Sequence, residues 1–377
     1  MVTGIICEYN PFHLGHKKQF DAIRAVHPEG GIVCLMSGNF VQRGAPAIVD
    51  KMTRAKAAVL SGADLVLELP VTVALSSAEG FAAEGVRILS GFCQRLCFGA
   101  EDPQGLDTLA SALLTEVFSG LLKKELEKGI SFPAARQAAL ERMGLDGSLL
   151  AKPNNILAVE YCKAIAQQSS AMTPFPILRQ GDYHNTCADS SNPSATALRS
   201  LLETGGDWQS YVPETARECF SGAALHTVAA GEKAILYRLR TMTDTEFEAL
   251  PYGSEGLWRK LMHAARTGTT LEDVITASKS KRYTRTRLDR MVMCAFLGIT
   301  QQMLHTPAPY TRVLAFNDRG REILKTARQS GDLPNVGESV DNPYQLLENR
   351  CGDLYGLFAH SPEPPSAEHN YRVFYQK

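Results

Sequence analysis

Five short apolar runs in the first half of the chain alternate with segments of helical spacing. The runs are "TGIICEY", "GGIVCLM", "ADLVLELP", "QRLCFGA" and "PFPILRQ". Each is too short for an ordinary helix and is apolar on both faces, the pattern of a strand buried between two layers. The helical segments are Leu14–Val26, Asp50–Leu60, Ser77–Leu89, Leu106–Glu127 and Asn155–Gln167. Alternation of this kind builds βαβ units with right-handed crossovers and parallel strands. The predicted architecture is therefore α/β, a five-stranded doubly wound parallel sheet. Ligands of such sheets bind beyond the carboxyl ends of the strands. Cys7–Gly15, Ser37–Gly44, Phe98–Glu101 and Arg179–Tyr183 fall at those ends.

The alternation stops after "ATALRSLLETGG", a short helix closed by Gly205 and Gly206. Beyond it, "EKAILYRLRTM", "SEGLWRKLMHAAR", "LEDVITASKS" and "RTRLDRMVMCAFLG" read as helices. A strand is expected at "TRVLAFN" and a helix at "GREILKTAR". Two parts result: an α/β domain over 1–205 and a mainly helical domain over 206–377. The formal net charge of −1 excludes a uniformly basic nucleic-acid binder, so any such contact needs a local patch. The nine cysteines are scattered, and Cys93 and Cys97 match no common zinc spacing, which predicts reduced thiols in a cytoplasmic protein. No apolar run reaches the ~18 residues of a membrane helix. The first residues lack the basic flank and cleavage site of a secretory signal.

The stretch "CEYNPFHLGHKKQF", Cys7 to Phe20, leaves the first strand and enters the first helix. Pro11 restricts the loop backbone, and Gly15 removes a side chain where something must approach the main chain. His13 and His16 fall in the first helical turn, three residues apart and so on one face. A helix N-terminus presents free N–H groups and partial positive charge, which suit phosphate. Imidazoles there can donate hydrogen bonds to an anionic transition state. Lys17 and Lys18 add charge. Alone, H-x-G-H reads first as two surface histidines at a helix start; its place after the first strand of a parallel domain favours phosphate. No third residue nearby has the spacing of a metal ligand.

A second element, "SATALR", opens the helix after the fifth strand. Ser194 and Thr196 suit a helix N-terminus, where hydroxyls and N–H groups hold phosphate. Arg199 adds a planar donor fork matched to phosphate oxygens. By itself this is an ordinary helix cap.

Together, H-x-G-H after the first strand and S-x-T-x-x-R after the fifth resemble the nucleotidylyltransferase superfamily, whose Rossmann-like domain binds ATP. A longer series appears in order: "EYNPFHLGH", "SGNFVQRGAPAIVDK", "SGADLVLELP", "FGAED", "KPNNILAVEY", "SATALR", "SKRYTRTRLDR" and "YTRVLAFNDRGREIL". This series is similar to the bacterial tRNA(Met) cytidine acetate ligase family over most of the chain. Leu14, Ala45, Met52 and Pro193 depart from residues usual in that family. The resemblance implies that acetate and ATP form acetyladenylate and pyrophosphate. The wobble cytidine of elongator tRNA(Met) then takes the acetyl group as N4-acetylcytidine. It implies His13, His16 and Arg199 as catalytic residues. It implies an ATP site of Cys7, Glu8, Tyr9, Asn10, Pro11, Phe12, His13, Leu14, Gly15, His16, Lys17, Lys18, Gln19 and Phe20. Gly99, Asn154, Asn155, Arg179, Ser194 and Thr196 complete that site. Asn154 and Asn155 read alternatively as a helix-capping pair, and Gly99 as a turn glycine. Mg2+ is expected to arrive with ATP. No dedicated acidic metal site stands out, Glu101 and Asp182 being the weak candidates.

Gln42 and Arg43 lie in a glycine-flanked loop, followed by Lys51 and Arg54. They are candidates for triphosphate or tRNA backbone, with solvated loop charges as the alternative. The run "KSKRYTRTRLDR" is the best patch for tRNA phosphates. Its candidates are Lys279, Lys281, Arg282, Tyr283, Arg285 and Arg287, with Tyr283 available for stacking. A solvated charged face is the plainer reading. The competing function is a small-molecule adenylyltransferase of cofactor biosynthesis, which shares both phosphate motifs but has no evident need of the helical half.

Overall fold

The computed structural model describes residues 1–179, 194–280, 283–327, 338, 342–365 and 367–377. Five parallel strands form as the apolar runs predict: β1 (Val2–Cys7), β2 (Gly31–Ser37), β3 (Leu65–Leu69), β4 (Arg95–Ala100) and β5 (Thr173–Leu178). Their order in the sheet is β5-β4-β1-β2-β3. The expectation of five strands is corrected to seven. Strand β6 (Arg312–Asn317) pairs antiparallel with β3, and β7 (Phe374–Gln376) pairs parallel with β6. All five residues of β3 are buried, and an open edge there would expose unpaired N–H and C=O groups. Chain from beyond residue 206 closes that edge, so the second half is not wholly helical.

Helices α1 (Leu14–Val26), α2 (Lys51–Leu60), α3 (Ala78–Leu89), α4 (Pro153–Gln167) and α5 (Ala195–Thr204) join or follow the strands. Their starts are written locally. Asp50 accepts from Met52 N and Thr53 N, Ser77 from Gly80 N, and Ser194 from Ala197 N. Gly205, at φ +68°, ends α5. The expected single helix over Leu106–Glu127 is two, Leu106–Leu113 and Glu116–Leu126, because Thr115 caps the second through Phe118 N. Alternate residues of β2 enter different cores. Val33 and Leu35 pack on one face of the sheet, and Ile32, Cys34 and Met36 on the other.

A third core joins α6 (Val228–Thr241), α7 (Leu257–Thr267), α8 (Leu271–Ser278), α9 (Arg285–Leu297) and α10 (Pro343–Tyr355). Phe40, Val71 and Leu75 of the first half belong to it, so the two halves share apolar packing. Gly44, at φ +78°, lies against the backbone of α9, where a Cβ would come 2.4 Å from Arg290 N. The Tyr355 hydroxyl donates to Ala47 O at 2.8 Å, and that of Tyr252 to Leu75 O at 2.7 Å. The Gly44 and Ala47 contacts hold the loop between β2 and α2 against the helical half, and the Leu75 contact holds the segment that follows β3.

A buried charge cluster fastens the C-terminal segment under the same loop. Lys51 Nζ lies 2.7 Å from Glu68 Oε1 and 2.6 Å from Glu368 Oε1, and Arg312 Nη2 lies 2.8 Å from Glu68 Oε2. Burial, then Glu68, pushes the nearby Glu348 carboxyl up to about 7. Lys51 is thus a core residue, which corrects its candidacy for triphosphate or RNA. Charge type does not encode burial; the acidic partners come from distant sequence. Among the described residues no helix is long and apolar enough to cross a membrane. The eight described cysteines are all free.

Candidate nucleotide site

The strand order reverses between β1 and β4, the point at which an open α/β sheet has its crevice. Only Thr3–Arg95 and Gly4–Leu96 pair between these strands, so their carboxyl ends are not zipped together. Cys7–Gly15 follows one end and Gly99–Asp102 lies at the other.

His13 is the N-cap of α1, and its Nδ1 accepts from Gly15 N at 3.1 Å. His16 Nδ1 accepts from His13 N at 3.2 Å. The pair forms a capping box from two imidazoles, stacked with centroids 3.7 Å apart. With both Nδ1 atoms accepting, each neutral ring carries its proton on Nε2. His13 Nε2 is buried with no hydrogen-bond partner among the described residues, a donor that suits a ligand. Burial, then Arg179 and Arg199, holds His13 down to about 3. Burial, then His13 and Arg179, holds His16 well below its ordinary 6.5. The histidines are therefore neutral donors, and the positive charge of the crevice comes from the arginines.

The rest of the loop supports this pair. Tyr9 takes φ +46°, a conformation that a bulky residue adopts only when its surroundings impose it. Its ring packs against Phe12, His16 and Phe20, and its hydroxyl meets Cys34 Sγ at 3.3 Å. Asn10 Oδ1 accepts from Ile48 N at 2.7 Å. The side chains of Cys7, Tyr9, Asn10, Phe12 and Phe20 are buried and form the floor, leaving backbone and the histidines for a ligand. Gln19 Nε2 reaches Cys97 Sγ at 3.4 Å, and Lys17 pairs with Asp21 along α1. Lys18 is exposed.

The second motif lies beside the first. Arg199 Nη1 donates to Asn10 O at 2.9 Å, and its Nη2 to Thr196 Oγ1 at 3.1 Å. One guanidinium thus links the start of α5 to the histidine loop. Ser194 accepts from Ala197 N as a helix cap, and Thr196 is exposed. Burial lowers the pKa of Arg199, with Arg43 adding to the effect and Glu8 opposing it. Glu8 Oε1 accepts from Gln42 N at 2.9 Å, and Arg43 is exposed.

On the β4 side, Arg179 Nη1 donates to Asn154 Oδ1 at 3.2 Å. The alternative reading of Asn154 and Asn155 as a capping pair does not hold: the N-cap of α4 is Lys152, which makes no side-chain cap, with Pro153 at N1. Asn154 and Asn155 are the next two residues. Asn155 is fully buried, its Oδ1 accepting from Glu101 N at 3.0 Å and Asp102 N at 3.1 Å. A Cβ on Gly99 would meet only Arg179 atoms, at 3.9 and 4.0 Å. Protein packing does not demand glycine there, and its face is left to the crevice.

Arg54 is corrected from a phosphate or RNA contact to the support beneath the loops. It is wholly buried and donates to Glu8 O at 2.6 Å, Ser37 O at 3.0 Å, Val49 O at 2.9 Å and Gly38 O. Sequence reasoning missed this role because the acceptors are main-chain carbonyls, which no residue type announces. It also missed the helix-capping part of Glu101, for which the uncapped Lys152–Pro153 start was the available signal.

The basic run lies around the start of α9. Lys281 and Arg282 are outside the described residues, as are Asp182 and Pro193. Lys279 is exposed. Arg285 pairs with Glu272 and Asp289, each at 2.8 Å. Arg287 donates to Tyr252 O at 3.1 and 2.7 Å and covers the Tyr283 ring at 4.8 Å. The Tyr283 hydroxyl donates to Glu255 at 3.1 Å. Arg285, Arg287 and Tyr283 are therefore engaged within the protein. Among the described residues no group of three or more His, Cys, Asp or Glu is arranged to hold a metal ion.

A profile of the HIGH nucleotidyl transferase family matches residues 1–368. The tRNA(Met) cytidine acetate ligase of Acetivibrio thermocellus is 34% identical over 362 residues, covering 89% of this chain and 87% of the relative. That of Clostridium tetani is 37% identical over 384 residues, covering 94% and 95%. The crystal structure of Thermotoga maritima TmcAL in its apo form I superposes with a TM-score of 0.91 at 30% identity, over 99% of both chains. The same protein bound with alpha-thio ATP, form II, gives 0.88 at 30% identity over 100% of both. The chain belongs to the HIGH nucleotidyl transferases and, within them, to the tRNA(Met) cytidine acetate ligase family.

Proposed function

We propose that this protein uses ATP to activate acetate as acetyladenylate and then acetylates the wobble cytidine of elongator tRNA(Met) to N4-acetylcytidine. The observation that carries the reading is the neutral His13–His16 pair beside Arg179 and Arg199, at the crevice of a chain that its relatives match nearly end to end. In the first step an acetate oxygen attacks the α-phosphorus and the bond to pyrophosphate breaks. Two anions must approach one another while a third departs, so catalysis is largely positioning and charge stabilisation. His13 and His16 donate from Nε2 to the phosphate oxygens without adding charge. Arg199 and Arg179 supply the positive field, Arg199 from the start of α5. In the second step the cytidine N4 attacks the acetyl carbon, the carbon–oxygen bond to AMP breaks, and N4 gives up a proton.

Mg2+ enters with the nucleotide, held by its phosphates. We assign the adenylate site to residues 1–205 and tRNA contact to the part beyond 206. In that part the assignment rests on Lys279 with Lys281 and Arg282, more than on the internally paired Arg285 and Arg287. With tRNA as substrate, the protein acts in the cytoplasm. A small-molecule adenylyltransferase would leave the helical half without a task, although relatives bearing the ligase name match across it. The test is incubation with ATP, acetate and total tRNA, with nucleoside analysis for acetylcytidine, alongside ATP–pyrophosphate exchange. Acetate-dependent exchange and acetylcytidine are expected. Exchange that requires a different acid and leaves tRNA unmodified would overturn the reading.

A further inference from the structure

We propose that Glu101 is a positioning residue of the nucleotide site, acting through Asn154 and Arg179 and not as a metal ligand; this rests on the nucleotide-site reading above. Helix α4 starts with Lys152 uncapped and Pro153 at N1, which leaves the N–H groups of its first turn in need of acceptors. Glu101, from the end of β4, supplies them. Its Oε1 accepts from Asn154 N at 3.3 Å and Asn154 Nδ2 at 2.6 Å, and its Oε2 from Asn155 N at 2.9 Å. The clasp is reciprocal, because Asn155 Oδ1 accepts from the backbone of Glu101 and Asp102.

This arrangement decides how Asn154 faces the crevice. With Nδ2 held by the carboxylate, its Oδ1 is free to accept from Arg179 Nη1 at 3.2 Å. Arg179 is also anchored through its backbone N to Ala100 O at 2.7 Å, and it is one of the charges that keep both histidines neutral. Glu101 therefore sets Asn154, and Asn154 sets the guanidinium of Arg179, whose Cβ and Cδ lie nearest Gly99. Both carboxylate oxygens are engaged by N–H donors, which leaves a poor cation ligand. The α4 N-terminus also already holds an anion. Phosphates are thereby directed to the starts of α1 and α5, and the nucleoside to the α4 side.

The isosteric Glu101→Gln variant separates these roles. Its amide NH2 would face a backbone N–H of Asn154 or Asn155, donor against donor, and its charge on Arg179 is lost. The readouts are the Kd of ATP by calorimetry, the melting temperature, and the Mg2+ dependence of binding. Loss of a charge-assisted network is expected to weaken ATP binding by ~10-fold or more, with the Mg2+ requirement unchanged. Asn154→Ala keeps the backbone bonds to Glu101 and removes the side-chain relay, the bond from Nδ2 to Glu101 and the link to Arg179. It is expected to weaken ATP to a similar degree with an unchanged melting temperature, which a purely structural role of Glu101 would not produce. In an Arg179→Met background, Glu101→Gln should cost less than ~3-fold further, because the two act in one chain. ATP affinity within twofold of wild type in either single variant overturns the inference. So does a raised Mg2+ requirement with normal affinity at saturating Mg2+. Because the readout is ATP binding, failure of acetate-dependent exchange in the wild type strikes the ligase reading separately.

Discussion

Replacing Arg54 by Leu removes the donor that gathers the loops under the site. Arg54 is 0% exposed and donates to four carbonyls, those of Glu8, Ser37, Gly38 and Val49. Leu fills part of the volume and relieves the cost of burying a charge, but it leaves these acceptors without a donor. An unsatisfied buried acceptor costs ~1–3 kcal/mol, and such costs within one network do not add in full. A net loss of ~3–5 kcal/mol is expected, the size seen when a buried polar network loses one member. That is a large share of the ~5–15 kcal/mol by which a domain is stable. Arg54→Lys keeps three donors on a shorter reach and should fall between. The assay is urea unfolding followed by circular dichroism and by fluorescence, with ATP affinity measured where the variant is folded. Because Glu8 begins the histidine loop, ATP affinity should weaken as a consequence of lost order. A stability loss below ~1 kcal/mol would refute the support role. A large rise in Kd at unchanged stability would return Arg54 to the ligand.

His13→Ala or His16→Ala should cut acetate-dependent exchange ~10²–10³-fold, the usual cost of a lost preorganised donor; near-normal exchange in either variant would remove the pair from the chemistry. His13 titrates near 6.5 when unfolded and about 3 when folded, so the unfolded chain binds the extra proton between those values. Its contribution to stability is complete above 6.5 and is lost as pH falls toward 3; His13→Asn, which can still cap α1, should flatten that slope in acid unfolding curves. Arg199→Ala should raise the ATP requirement sharply with incomplete rescue by Lys, since a point charge cannot reproduce the fork; unchanged apparent affinity in both variants contradicts its assignment. Neutralising Lys279, Lys281 and Arg282 together should weaken tRNA binding and lower its salt slope by ~0.7–0.9 per lost phosphate contact, while exchange without tRNA stays normal. Loss of exchange with unchanged tRNA binding would reverse the division between the halves.

What the sequence determined was local. Leu14–Val26 forms as read because its apolar spacing, its N-cap and its first-turn partner lie within a few residues of one another. The same holds for the five parallel strands and for the Ser194 cap and Gly205 stop of α5. The histidine pair was legible for the same reason, since three residues of spacing place both rings at one helix start. Even local reading failed where two signals overlapped, as at Thr115, whose capping divides a continuous helical pattern.

The tertiary structure decided everything that depends on who meets whom across long separations. Periodicity says that β3 is buried but not that β6, more than two hundred residues later, closes its edge. A cationic side chain in sequence reads as solvent or ligand contact, because both are common for Lys and Arg. Lys51 meets Glu68 and Glu368, Arg54 meets four carbonyls, and Arg287 meets the backbone of Tyr252. Glu101 finds its partners at Asn154 and Asn155 only after β4 and α4 are brought together. Burying a charge or a carbonyl is costly unless a partner is supplied, and that partner comes from whichever segment the fold delivers. The residue types at the site were therefore visible in the chain, and which of them line the crevice and which are buried beneath it was decided by packing.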